Sequence, residues 1–128
     1  MKMKINALLL PLSIMALLAG CASEEQQAIW TTEKSVKAKL KDPGSARFGK
    51  TYFVVDDERS EPGYTWGYVC GEVSGKNSYG AYASPQRFTA RAIVGDGLVD
   101  VRGVELEGIG IDAQVFERVN WRHCVKPG

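Results

Sequence analysis

The sequence predicts an α+β domain, an antiparallel sheet of three to five strands packed with an N-terminal and a C-terminal helix. Three observations carry this. Residues 64–71 and 87–94 alternate side-chain character with a period of two, the pattern of strands that bury one face. Gly95-Asp96-Gly97 joins the second run to Leu98-Val99-Asp100-Val101-Arg102, as a hairpin turn would. Ser23 and Asp112 each stand at an N-cap position ahead of apolar residues at helical spacing. With 128 residues, 45% of them hydrophobic and 24% charged, the chain has the length and composition of one globular domain.

Taken in chain order, Ser23-Glu24-Glu25-Gln26 is a capping box and starts the first helix. Ile29, Val36 and Leu40 fall on one face of it with Thr32 between them, while Lys34, Lys37 and Lys41 form a basic stripe that reads as a solvated face or as a contact for anionic headgroups. Asp42-Pro43-Gly44 ends the helix, and Pro43 is pre-set to open a short turn. Thr51-Tyr52-Phe53-Val54-Val55 is a strand closed by the polar loop 56–63. In the next strand Tyr64, Trp66, Tyr68 and Cys70 face one way and Thr65, Gly67, Val69 and Gly71 the other. Phe88, Ala90, Ala92 and Val94 then alternate with Arg87, Thr89, Arg91 and Ile93, and the returning strand ends near Arg102. Asp112 caps a last helix running to about His123, with Ala113, Phe116 and Val119 turned inward.

Residues 5–20 carry no charge and follow Lys2 and Lys4, the layout of a secretory signal peptide, and Pro11 with the shortness of the run argues against an uncleaved anchor. Its ending, Leu18-Ala19-Gly20-Cys21, resembles the lipobox of bacterial lipoproteins. The resemblance implies cleavage before Cys21, a diacylglyceryl thioether on that cysteine, and a mature domain of residues 21–128 anchored in a membrane. Several acyl chains at ~0.8 kcal/mol per buried methylene make such a tether effectively permanent. Ala22 follows the cysteine where many inner-membrane lipoproteins have aspartate, which implies an outer-membrane location with the domain in the periplasm.

The whole chain has 16 Lys and Arg against 15 Asp and Glu, and without Lys2 and Lys4 the balance is close to neutral. A neutral domain offers no electrostatic case for nucleic acid as a partner. If Cys21 carries lipid, the exported portion keeps Cys70 and Cys124, an even pair in an oxidising compartment, and a disulfide is expected between them. The rival reading, a reactive or metal-binding pair beside His123, lacks the clustered spacing of a metal site, so no metal and no cofactor is expected.

His123, the one histidine, is the single candidate for a general base near neutrality, with Glu72 as a conceivable partner in a small envelope hydrolase. No serine stands in a Gly-x-Ser-x-Gly elbow, and the acidic pairs Asp56-Asp57 and Glu105-x-Glu107 read as solvation, so no catalytic residue is assigned. The most distinctive segment is Gly71–Tyr82. Lys76, Asn77, Tyr79 and Tyr82 combine hydrogen-bond donors with amphipathic rings and form a candidate binding loop for an envelope protein or a glycan. The segments Leu40–Phe48, Val69–Gly80 and Trp121–Cys124 resemble a group of small bacterial and prophage-associated envelope proteins. That resemblance implies a fold unit and a cysteine pair and no activity. The expected function is therefore a non-enzymatic outer-membrane lipoprotein that binds another envelope component as an inhibitor, immunity or phage-exclusion factor. A passive structural lipoprotein is the third reading.

Overall fold

The computed structural model describes residues 22–125. Helix α1 spans Glu24–Lys39, and the sheet consists of β1 (Arg47–Phe48), β2 (Tyr52–Val55), β3 (Thr65–Ser74), β4 (Gln86–Gly95) and β5 (Leu98–Leu106). A helical segment opens with α2 (Ala113–Val115) and closes the domain. The architecture is α+β, with every pairing antiparallel: β3–β4–β5 in order, and β1 and β2 sharing the other edge of β3. No helix among the described residues is long and apolar enough to cross a membrane. Residues 1–21, with the expected leader and Cys21, lie outside the described residues.

The Ser23 hydroxyl accepts a hydrogen bond from the Gln26 amide, satisfying one of the free N–H groups of the first turn. Ala28, Ile29, Thr32, Val36 and Leu40 are buried, and Thr32 returns its hydroxyl to the Ala28 carbonyl at 2.8 Å, so its polarity costs nothing inside the core. The helix lies across β4 and β5. Its first turn is fastened to the hairpin by Glu24, whose carboxylate accepts the Gly97 N–H at 2.9 Å.

The sheet presents to the helix Val69 and Val73 of β3, Phe88, Ala90, Ala92 and Val94 of β4, and Leu106 of β5, which together with the helix make one hydrophobic core. Two glycines on that face make room for rings. A Cβ at Gly67 would lie 2.4 Å from the Phe53 ring, and one at Gly71 would lie 2.5 Å from the Phe88 ring. The alternation expected for β3 and β4 is realised residue for residue, since Cys70 pairs with Thr89 and Gly71 with Phe88.

Several boundaries differ from expectation, among them the end of β3, which runs on to Ser74 and takes up the first residues of the expected Gly71–Tyr82 loop. Strand β1, two residues long, was not anticipated and pairs Phe48 with Val73. Strand β5 runs past Arg102 to Leu106 because a bulge opposite Thr89–Arg91 takes up Gly103, whose φ of +62° belongs to glycine. The last helix is not one regular element. After one α turn capped by Asp112 the backbone widens into a π turn over Phe116–Asn120 and tightens into a 3₁₀ turn over Trp121–His123. The helical period is lost with it: Phe116 is fully buried, whereas Ala113 and Val119 are exposed.

This irregular segment covers part of the sheet's outer face. Cys124 is bonded to Cys70, with their Cα atoms 5.9 Å apart, and the Tyr52 hydroxyl donates to the Cys124 carbonyl at 3.1 Å. Phe116 and Trp121 stack at 6.2 Å, and the Arg87 guanidinium lies over both rings while pairing with Glu107 and Glu117.

Candidate functional site

Among the described residues the closing segment covers only part of the outer face. It seals the part around Arg87 and the disulfide and leaves the rest of β3 and β4 open, where Trp66, Tyr68, Arg91 and Ile93 project outward. Two adjoining clefts occupy this open area. One, of about 360 Å³, lies between Tyr68, Arg91, Asn120, Arg122 and His123. Its neighbour, of about 300 Å³, has Trp66 and Ile93 on its floor and Arg59, Arg91 and Arg102 on its walls.

Arg91 reaches the rim from β4, and its guanidinium rests on Gly103, where a Cβ would come within 3.3 Å of it. The bulge in β5 therefore supplies the surface on which Arg91 is seated. Arg102 pairs with Asp100 at 3.1 Å and Arg59 more loosely with Asp56 at 3.7 Å. Among the described residues no carboxylate lies within 4.0 Å of Arg91 or Arg122. Asn120 contributes an amide whose oxygen is buried with no hydrogen-bond donor among the described residues. Such an orphaned acceptor is uncommon in folded proteins.

His123 lies flat against Tyr68, with ring centroids 4.1 Å apart and planes inclined by 6°. Its Nε2 accepts a long hydrogen bond of 3.4 Å from Arg122 Nε. Burial, then the positive charge of Arg122, hold its pKa below the ordinary 6.5, with Asp56 opposing weakly and Arg59 adding to the depression. The fold thus prefers the neutral ring. The unfolded chain takes up this proton more readily, so the stability His123 contributes is complete above pH 6.5 and is lost as pH falls below it. Urea midpoints measured between pH 7.5 and 5 are expected to decline less steeply in His123→Gln than in the parent; parallel curves would show that the ring's protonation does not matter to the fold.

The positions singled out in the sequence divide into two groups. In the Gly71–Tyr82 segment, Asn77 is used by the turn itself: its Oδ1 accepts from the Tyr79 N–H at 2.9 Å and the Ala81 N–H at 3.2 Å. Lys76 donates its backbone N–H to the Ser45 hydroxyl at 2.8 Å and bridges to Tyr82. The Tyr82 ring carries the Arg47 guanidinium at 3.8 Å, with the Lys76 ammonium at 5.7 Å. What remains for a partner is Tyr79, which is 95% exposed at the tip.

Glu72 and His123 are not brought together. Tyr68, on which His123 lies, and Glu72 are four residues apart on one strand, about 13 Å at ~3.3 Å per residue, with Cys70 and its bridge between them. Asp56 accepts the Arg59 amide and faces its guanidinium, and Glu107 holds Arg87, so these acids serve the fold. No group of three or more His, Cys, Asp or Glu side chains able to hold a metal occurs among the described residues.

The arginine-walled face was missed from the sequence. Arg59, Arg91 and Arg122 come from a loop, a strand and the closing segment, and only the fold makes them neighbours. The one local sign was the outward alternation of Arg87 and Arg91 in a strand whose other face is apolar. No family model, no curated protein and no solved structure matches the chain.

Proposed function

We propose that the chain is an exported lipoprotein, tethered through Cys21 to the outer membrane, whose domain binds another component of the cell envelope and catalyses no reaction. The inhibitor, immunity or phage-exclusion class fits this reading, and the resemblance of Leu40–Phe48, Val69–Gly80 and Trp121–Cys124 to small prophage-associated envelope proteins supports it. The observation that carries it is the display of Tyr79. This ring is 95% exposed on a turn whose backbone is held by Asn77 and Ser45, so an amphipathic aromatic side chain is presented from an ordered position. The tether rests on Leu18-Ala19-Gly20-Cys21, which ends two residues before the Ser23 cap and so leaves almost no slack between lipid and domain.

Two measurements test the two halves. Labelled palmitate is expected to enter the wild-type chain in cells and to be absent from Cys21→Ser; label retained in the variant would remove the tether. A photoreactive residue at position 79 is expected to give a discrete adduct in intact envelopes that the same residue at exposed position 50 does not give. Identical adducts from both, or none from either, would remove the binding role assigned to the loop.

A further inference from the structure

The open sheet face carries a ligand chemistry that the loop does not. Within the 360 Å³ cleft three guanidinium groups, Arg59, Arg91 and Arg122, face a single carboxylate, Glu105. Two of the three have no carboxylate within 4.0 Å among the described residues. The Asn120 amide at the same wall has its oxygen buried without a donor. No hydrogen bond among the described residues holds that orientation, so rotation of the amide can bring its oxygen outward. Tyr68 and His123, stacked face to face, both line the cleft, as does Thr89.

We propose that this cleft is a binding site for an acidic peptide group, a carboxylate with an amide N–H beside it. The carboxylate takes the guanidinium forks of Arg91 and Arg122, a geometry that guanidinium matches through paired parallel hydrogen bonds. The adjacent N–H meets the Asn120 oxygen, and the peptide plane lies on the Tyr68–His123 stack. The bare backbone of Gly103 leaves room for the Arg91 guanidinium beside the cleft. The volume suits one or two residues of a peptide, so the site reads a short acidic stretch and not a whole folded surface. The site deepens the envelope-binding reading by naming the chemistry of a partner, and it stands on residues separate from Tyr79 and Cys21.

The test uses the purified full chain in nonionic detergent and calorimetric titration with N-acetyl-alanyl-aspartate, its diamide, glucuronate and inorganic phosphate. The dipeptide acid is expected to bind at least tenfold more tightly than the diamide, and Arg91→Gln and Arg122→Gln each to weaken it by roughly tenfold, the usual scale of one charge-assisted hydrogen bond. Arg91→Lys is expected to recover part of the loss. Asn120→Leu is expected to weaken binding severalfold while holding or raising the unfolding midpoint, because it removes a buried acceptor that has no partner. Equal affinity for acid and diamide would overturn the proposal. So would glucuronate or phosphate binding as tightly as the dipeptide, which would assign the cleft to sugar acids or to any small anion. Retention of palmitate labelling and of the Tyr79 adduct in Arg91→Gln separates failure of this site from failure of the lipoprotein reading.

Discussion

Replacing both Cys70 and Cys124 by serine is expected to lower the free energy of unfolding by about 4 kcal/mol, the chain-entropy cost of releasing a loop of this length. The two cysteines are 54 positions apart, and the bridge ties the last helical segment to the central strand. Without it that segment keeps Phe116, the Phe116–Trp121 stack, the Tyr52 hydrogen bond and the ion pairs of Arg87. Those contacts hold a short, irregular piece of chain against an otherwise exposed sheet face. Urea unfolding followed by tryptophan fluorescence measures the change. A loss below about 1 kcal/mol would mean that the aromatic pair and Arg87 alone suffice, and that the bridge constrains the unfolded chain far less than its loop length implies.

Phe88→Ala is expected to cost about 3–5 kcal/mol, the range for truncating a fully buried ring that cannot be replaced by collapse. Phe88 has no exposed surface, meets Phe48 edge to face at 5.8 Å, and lies on the bare backbone of Gly71. Gly71→Ala is expected to cost about 1–3 kcal/mol on its own, because its Cβ would sit 2.5 Å from the ring and 3.0 Å from the Thr51 hydroxyl. The two changes are expected to be strongly non-additive, with Gly71→Ala far less damaging once the ring has gone. Additive losses in denaturant melts of the four proteins would show that the ring does not depend on the glycine beneath it.

Much of this architecture was legible because it is periodic. The two long strands alternate so regularly that their faces are readable position by position, and the register of β3 on β4 keeps both patterns in phase. The caps were legible too: Ser23 and Asp112 each accept the amide bonds their positions call for. The path after Asp112 was not. Cys124 must reach Cys70 on the sheet while Phe116 stays buried, and the chain manages both by changing helical pitch twice, a tertiary demand with no local signature. The bulge at Gly103 was read as the end of a strand for a related reason. A glycine after an alternating run signals an ending and an irregularity equally well. The site divides in the same way. Tyr79 was visible as part of an unusual loop, whereas Arg59, Arg91 and Arg122 are drawn from across 63 residues and share no pattern that sequence alone displays.

Strand β5 forms one border of the sheet, and among the described residues its outer backbone edge has no neighbouring strand. Along it run Asp100, Arg102 and Glu105, broken by the kink at Gly103. A row of free amides and carbonyls invites the same strand of another copy, and alternating charge with a kinked backbone discourages that pairing. Confinement to a surface by a lipid would raise the local density of such molecules far above that of a freely diffusing protein. On such a surface, a border that resists self-stacking would keep a crowded layer of these domains from zipping into fibrils.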